Sequence, residues 1–86
     1  MDSEIVDALS YVKLSKHRIK VVISIGNDTK MPSEIVHEEK MIFSDVSRAL
    51  KGLKEENIVS CLNNKKKQGR LYQLTDIGKE VLTHIK

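Results

Sequence analysis

The sequence has few aromatic residues and a single cysteine, and each scarcity excludes a class of structure. Only Tyr11, Phe43 and Tyr72 are aromatic, and tryptophan is absent. We therefore expect an aliphatic core, carried mainly by helices. The lone Cys61 excludes an internal disulfide, which favours a reducing, cytoplasmic setting. No apolar run approaches the ~20 residues that a membrane-spanning helix needs, so we expect no membrane partner.

Positive charge is pooled in two segments of the chain. The 86 residues carry a net charge of +3, and this length predicts one domain, residues 1–86. Residues 15–30 carry +3 and residues 63–74 carry +4, whereas residues 1–14 carry −2. The second pool consists of Lys65, Lys66, Lys67 and Arg70. Such pooling favours an anionic partner such as nucleic acid.

Apolar residues at helical spacing predict four helices in the first two thirds of the chain. These helices span residues 3–14, 14–28, 32–40 and 44–57. We expect Ser15 to cap the second helix and Ser44 to cap the fourth, and Pro32 suits a first helical turn. Gly26 and Asn57 are typical residues for helix ends. The inward-facing residues are expected to be Ile19, Val22 and Ile23 in the second helix, and Val46, Ala49, Leu50 and Leu53 in the fourth.

The pattern then changes to one typical of strands. The segments "IVSCLN" (58–63) and "RLYQLT" (70–75) are joined by "NKKKQG" (64–69), which predicts a β-hairpin. Thr75 can cap a last helix over residues 75–85. The expected fold class is therefore α+β, mainly α, with a two-stranded β-hairpin between flanking N- and C-terminal helices.

The third and fourth predicted helices are joined only by "MIF" (41–43), which favours the angled pair of a helix-turn-helix. In that motif the second helix presents its outer face to the DNA major groove. The candidate DNA contacts on this face are Ser44, Asp45, Ser47, Arg48, Lys51 and Lys54. The acidic Glu55 and Glu56 fall at the far end of the helix, which would tilt away from the duplex. Hydroxyl and basic side chains suit base edges and phosphates, whereas the Asp45 carboxylate repels phosphate. An ordinary solvated helix face remains an alternative.

A helix-turn-helix followed by a basic hairpin resembles the winged helix-turn-helix regulators of transcription, of the MarR-like and ArsR-like kind. The matching segments are "LSKHRIKVV" (14–22), "PSEIVHEE" (32–39), "FSDVSRALKGLKEENIV" (43–59) and "GRLYQLTDIGKEVL" (69–82). The resemblance implies a helix-turn-helix over residues 32–57 and a wing over residues 58–75. Two positions depart from the pattern, because Lys40 stands in place of a glycine and Met31 in place of a capping hydroxyl residue.

The resemblance implies double-stranded DNA as the partner and two sets of contacts. Ser44, Asp45, Ser47, Arg48 and Lys51 would face the major groove. Lysines on a turn gain from displaced counterions, so Lys65, Lys66 and Lys67 would contact phosphates. Arg70, next to a glycine, suits a narrow minor groove.

Other functions receive less support from the sequence. No catalytic arrangement, cofactor motif, small-molecule site or metal-ligand cluster is evident, so we expect no enzyme, no cofactor and no metal site. A homodimer through the terminal helices is expected. The candidate surface is one apolar stripe of Ile5, Leu9 and Val12 and another of Ile77, Val81 and Ile85, although both stripes could instead close the chain's own core. The alternative function is a winged-helix module that binds protein within a larger complex.

Overall fold

Five helices and one antiparallel β-hairpin form the fold in the computed structural model, which describes residues 2–86. The helices are α1 (Ser3–Lys13), α2 (Lys16–Ile25), α3 (Pro32–Glu39), α4 (Phe43–Glu55) and α5 (Asp76–Ile85). Strands β1 (Val59–Cys61) and β2 (Tyr72–Leu74) lie between α4 and α5. This order confirms the predicted α+β, mainly helical class and the position of the hairpin.

Local sequence signals set several of the helix ends as predicted. The Ser15 hydroxyl accepts a hydrogen bond from the Arg18 amide (3.4 Å), and the Thr75 hydroxyl accepts one from the Gly78 amide (3.1 Å). Each bond satisfies one of the amides that a helix leaves unpaired at its N-terminus. Gly26 ends α2 with a φ of 54°, a backbone conformation that glycine adopts readily.

The predicted cap at Ser44 is wrong, because the cap position lies two residues earlier, at Ile42. Ile42 occupies the cap position without a side-chain hydrogen bond, and its carbonyl accepts from the amides of Asp45 and Val46 (both 3.1 Å). The preceding turn explains the shift. Lys40 adopts the left-handed conformation (φ 53°, ψ 44°) and Met41 is buried, so the chain enters the helix at Phe43. Lys40 therefore adopts a conformation that glycine adopts more readily than lysine.

The core is aliphatic apart from Tyr72, as the composition predicts, and it draws on every helix. The predicted inner residues of α4 (Val46, Ala49, Leu50 and Leu53) are all buried. In α2 the prediction was partly wrong, because Val21, Val22 and Ile25 are fully buried whereas Ile23 is 41% exposed. The buried stripe of α2 follows the spacing i, i+1, i+4, which leaves Ile23 outside it.

The hairpin is shorter than the predicted strands. Val59 pairs with Leu74 and Cys61 with Tyr72, so only three residues pair on each side. A third segment extends the sheet by one residue, since Lys30 and Tyr72 exchange backbone hydrogen bonds of 2.9 and 2.8 Å. This bridge joins the segment before α3 to the hairpin and was not predicted.

Helices α1 and α5 pack against each other within the chain. Val12 and Val81 are fully buried in the chain's own core, while Leu9, Ile77 and Ile85 pack partly buried against it. The expectation that both apolar stripes are free to pair with a second chain is therefore corrected for Val12 and Val81. Ile5 and Ile85 are half-buried and retain accessible surface.

Candidate nucleic-acid interface

Helix α4 carries one continuous polar face opposite its buried stripe. Because its core residues recur every three or four positions, the intervening residues point outward. The exposed members of the predicted contact set on α4 are Ser44, Ser47, Arg48, Lys51 and Lys54, and Asp45 is half-buried. Helices α2 and α3 both pack against α4. The serine and basic side chains of its outer face nevertheless remain exposed.

The loop between the two strands is held by hydrogen bonds from side chains to the backbone. The side-chain amide of Asn63 accepts from the Leu71 amide through Oδ1 (2.8 Å) and donates to the Gly69 carbonyl through Nδ2 (3.1 Å). Arg70 donates from Nε to the Lys66 carbonyl (2.7 Å). These bonds close the wing tip, a name used here for residues 62–71 within the hairpin.

Lysine side chains project from this braced wing. Lys65, Lys66 and Lys67 are exposed, whereas Arg70 is half-buried. Because the Nε–H of Arg70 bonds to the loop backbone, this side chain helps to hold the conformation of the loop. Its two terminal nitrogens stay available for a further contact.

A hydrogen bond between side chains joins the wing to α4. Lys54, near the end of α4, donates from Nζ to Oδ1 of Asn64 (2.6 Å). Both residues are exposed. This hydrogen bond places the basic wing beside the outer face of α4, so the two predicted contact sets lie on neighbouring surfaces.

A cleft of about 410 Å³, here called the wing cleft, separates the wing from the start of α3 and the start of α4. Its polar and aromatic lining includes Ser33, Phe43, Ser47, Lys67 and Arg70. Two of these side chains are cations, and no acidic residue lines the cleft. The wing cleft therefore combines apolar surface with positive potential.

A second cleft of about 300 Å³, here called the α2 cleft, lies on the other side of α4. Asp45, Arg48 and Lys51 line it, facing His17 and Arg18 from the start of α2. Asp45 Oδ2 lies 3.8 Å from His17 Nε2, and Asp45 Oδ1 lies 3.5 Å from Arg48 Nη1. The carboxylate that seemed out of place in a DNA-contact face thus has two basic neighbours.

The sequence reasoning did not assign His17 and Arg18 to the site. The excess positive charge of residues 15–30 was the available signal. Arg18 is committed to the fold, because its Nη1 donates to the Tyr11 carbonyl (2.8 Å) and its guanidinium lies 3.7 Å from the centre of the Tyr11 ring. His17 is half exposed at its side chain and borders the α4 face directly.

One ion pair away from both clefts shifts the pKa values of its two members. Lys30 Nζ bonds both carboxylate oxygens of Glu38, at 2.6 Å to Oε2, and the Ser24 hydroxyl donates to the same oxygen (2.8 Å). The hydrogen bond from Lys30, followed by that from Ser24, lowers the pKa of Glu38 below its usual value. The hydrogen bond to Glu38 raises the pKa of Lys30. The pair links α2 and α3 to the segment that bridges to the hairpin.

Two further observations concern residues 2–86. No group of three His, Cys, Asp or Glu side chains lies close enough together there to hold a metal ion. None of the helices in that range combines the length and the apolar character required to cross a bilayer.

Comparison with solved structures shows which fold this is. The chain is similar to reduced HlyU from Vibrio cholerae N16961, with a TM-score of 0.76 at 19% sequence identity. The likeness covers 96% of this chain and 83% of the HlyU chain. No protein-family model and no curated protein matches the sequence. The winged-helix fold expected from the sequence is thereby confirmed.

Proposed function

We propose that the chain is a transcription regulator that binds specific sequences of double-stranded DNA. Residues 32–57 act as the helix-turn-helix, and residues 58–75 act as the wing. The observation that carries the proposal is the hydrogen bond between Lys54 and Asn64, because it unites the exposed cations of α4 and of the wing. The fold shared with HlyU supports the same assignment.

Helix α4 enters the major groove with its outer face toward the bases. Ser44, Ser47 and Arg48 lie in its first two turns, where a recognition helix meets base edges. Arginine can donate two hydrogen bonds to guanine, and serine can bond to any base edge. Lys51 and Lys54 lie further along and contact phosphates, which fix the register of the helix on the duplex.

The wing supplies contacts that do not depend on the DNA sequence. Lys65, Lys66 and Lys67 neutralise phosphates and release counterions. Arg70 holds the loop through Nε and offers its remaining nitrogens to the backbone or the minor groove. Asp45 orients Arg48 through its carboxylate, which also lies beside the ring of His17.

Binding as a homodimer, in the cytoplasm, completes the proposal. The accessible parts of Ile5 and Ile85, together with Val6 (43% exposed), provide apolar surface on the terminal helices. Ile5→Glu and Ile85→Glu should each lower the mass measured by sedimentation equilibrium while leaving the helical circular dichroism intact. A wild-type mass near 9.8 kDa at high micromolar concentration would exclude the dimer.

The salt dependence of DNA affinity tests the central claim. If about four cations per subunit meet phosphates, log K plotted against log salt should slope at roughly −7 for a dimer and roughly −4 for a monomer. Fluorescence anisotropy with a random-sequence duplex measures this slope, and selection from a random pool then defines the preferred site. No binding in dilute buffer, or an affinity that ignores salt, would favour the alternative of a protein-binding module.

A further inference from the structure

Two large apolar side chains are exposed at the leading end of α4. Ile42 is 69% exposed and Phe43 is 58% exposed. Leaving such groups in water forgoes the free energy that their burial would supply. Neither residue belongs to the predicted set of DNA contacts. Their position, immediately before and at the first residue of the proposed recognition helix, identifies them as candidate contact residues.

The surroundings of Phe43 indicate what kind of partner covers it. Phe43 lines the wing cleft together with the hydroxyl of Ser47 and the cations Lys67 and Arg70. A partner that complements this cleft therefore carries negative charge around a small apolar group. A protein partner with an acidic rim is conceivable on charge alone, but the hydroxyl and cations belong to the same face that the proposed function directs to DNA.

Thymine supplies the apolar group that this arrangement needs. Its C5-methyl group projects into the major groove, flanked by acceptors on the base edges and by the phosphates. Apolar side chains, phenylalanine among them, recognise that methyl group by direct contact. Ser47 follows Phe43 by about one helical turn, so both residues lie on one side of α4.

We propose that Phe43, assisted by Ile42, reads thymine methyl groups in the target site. The inference rests on the proposed function and adds a chemical preference to it. The role of Phe43 depends on where α4 begins. Because the helix starts at Phe43, its phenyl ring belongs to the first turn, which the proposed function places in the major groove. Ser47 then contributes a hydrogen bond to the neighbouring base edge.

The test replaces single thymines with deoxyuridine, which lacks only the C5-methyl group. Duplexes selected by the wild-type chain are resynthesised with one substitution at each thymine. Burial of one methyl group corresponds to about a fourfold change in affinity, so we expect a loss of that size at one or more positions. Phe43→Ala should bind the thymine and deoxyuridine duplexes equally at the affected position. Ile42→Ala should remove or reduce the discrimination at the same or the adjacent position.

Ile23→Ala is the matched control variant. Ile23 is also an exposed aliphatic residue, at 41%, but it lies in α2 and lines neither cleft. This variant should keep the wild-type preference for thymine. Circular dichroism should show that all three variants fold, as their exposure leads us to expect.

Three different results would overturn the inference. A wild-type chain that selects a site with steep salt dependence, yet binds thymine and deoxyuridine alike at every position, would remove the inference and keep the proposed function. The same holds if Phe43→Ala and Ile42→Ala both retain full discrimination. A chain that binds no duplex at any salt concentration would remove both.

Discussion

Replacing Gly52, in the middle of α4, by alanine should fail to stabilise the fold because of a single neighbouring side chain, Tyr11. Glycine inside a helix costs about 1 kcal/mol relative to alanine. A methyl group at Gly52 would collide with the hydroxyl oxygen of Tyr11, whereas the next nearest ring atom, Cζ, lies 3.5 Å away. Arg18 stacks on the Tyr11 ring at 3.7 Å and restrains it. The helix therefore carries glycine to admit the tyrosine hydroxyl of α1.

The magnitudes follow from two opposing effects. Overpacking typically costs 1–3 kcal/mol, against a gain of about 1 kcal/mol in helix propensity. Gly52→Ala in the wild-type background should thus lower the free energy of unfolding by roughly 0–2 kcal/mol. In a Tyr11→Phe background the collision disappears, and Gly52→Ala should then raise the free energy of unfolding by about 1 kcal/mol. The coupling between the two positions is then about 1–3 kcal/mol.

The coupling is measured by a double-mutant cycle of the wild type, Gly52→Ala, Tyr11→Phe and the double variant. Each protein is unfolded in urea, and the unfolding is monitored by circular dichroism. Any effect of Tyr11→Phe by itself cancels in the comparison. For a domain of this size, 1 kcal/mol corresponds to roughly 4–8 °C in Tm, so thermal melts provide a second readout. If Gly52→Ala changes stability equally in both backgrounds, the tyrosine hydroxyl is not the reason for the glycine.

Three further predictions concern the wing, the helix-turn-helix junction and the Lys30–Glu38 pair. Alanine at residues 65–67 should weaken binding to all duplexes alike and flatten the dependence of affinity on salt. Arg48→Ala should instead cost about 1–3 kcal/mol of binding free energy and relax the preference at particular base pairs. If both variants lose affinity for the same DNA sequences in the same proportion, this assignment of roles is wrong. Lys40→Gly should raise Tm by roughly 4–8 °C, because it relieves about 1 kcal/mol of left-handed strain, and an unchanged or lower Tm in thermal melts would contradict it. The lowered pKa of Glu38 means that its ionised form stabilises the fold above the ordinary pKa of 4.5, and that this stabilisation is lost as the pH falls through the lowered value. Glu38→Gln should therefore flatten the acid side of the Tm–pH curve, and parallel curves would disprove the linkage. Glu38→Gln should also remove the stabilisation that the raised pKa of Lys30 provides. That stabilisation is fully present below pH 10.5 and is lost as the pH rises through the raised pKa.

The parts of the fold that follow from local pattern could be predicted from the sequence. The helix caps at Ser15 and Thr75 depend only on residues within three positions, and the buried stripe of α4 depends only on helical spacing. The start of α4 could not be predicted in this way. It depends on Lys40 adopting a conformation that lysine rarely adopts, and on the burial of Met41 against distant elements. Serine signals a cap strongly, but here tertiary packing overrides that signal.

The candidate site shows the same division between local and distant causes. The basic tip of the wing can be read from residues 65–67 alone. The role of Asn63 could not be, since its bonds to Gly69 and Leu71 exist only once the two strands pair. One of the two neighbours of Asp45 was also hidden, because His17 comes from a different helix, 28 positions earlier. The other neighbour, Arg48, lies three positions further along the same helix and follows from helical spacing.

Helix α4 packs against α2 and α3 and makes further contacts at its beginning, middle and end. The left-handed turn at Lys40 precedes its start, Gly52 lies against the hydroxyl of Tyr11 in α1, and Lys54 bonds the wing near its last turn. These three contacts involve different elements, so a helix rotated or displaced on the core would break at least one of them. The same orientation that directs Ser44 and Arg48 outward also brings Phe43 into the wing cleft. In the proposed function, base reading by the first turn and phosphate binding by the wing would therefore both depend on one helix position, and Gly52→Ala should disturb both together if it shifts α4 away from α1.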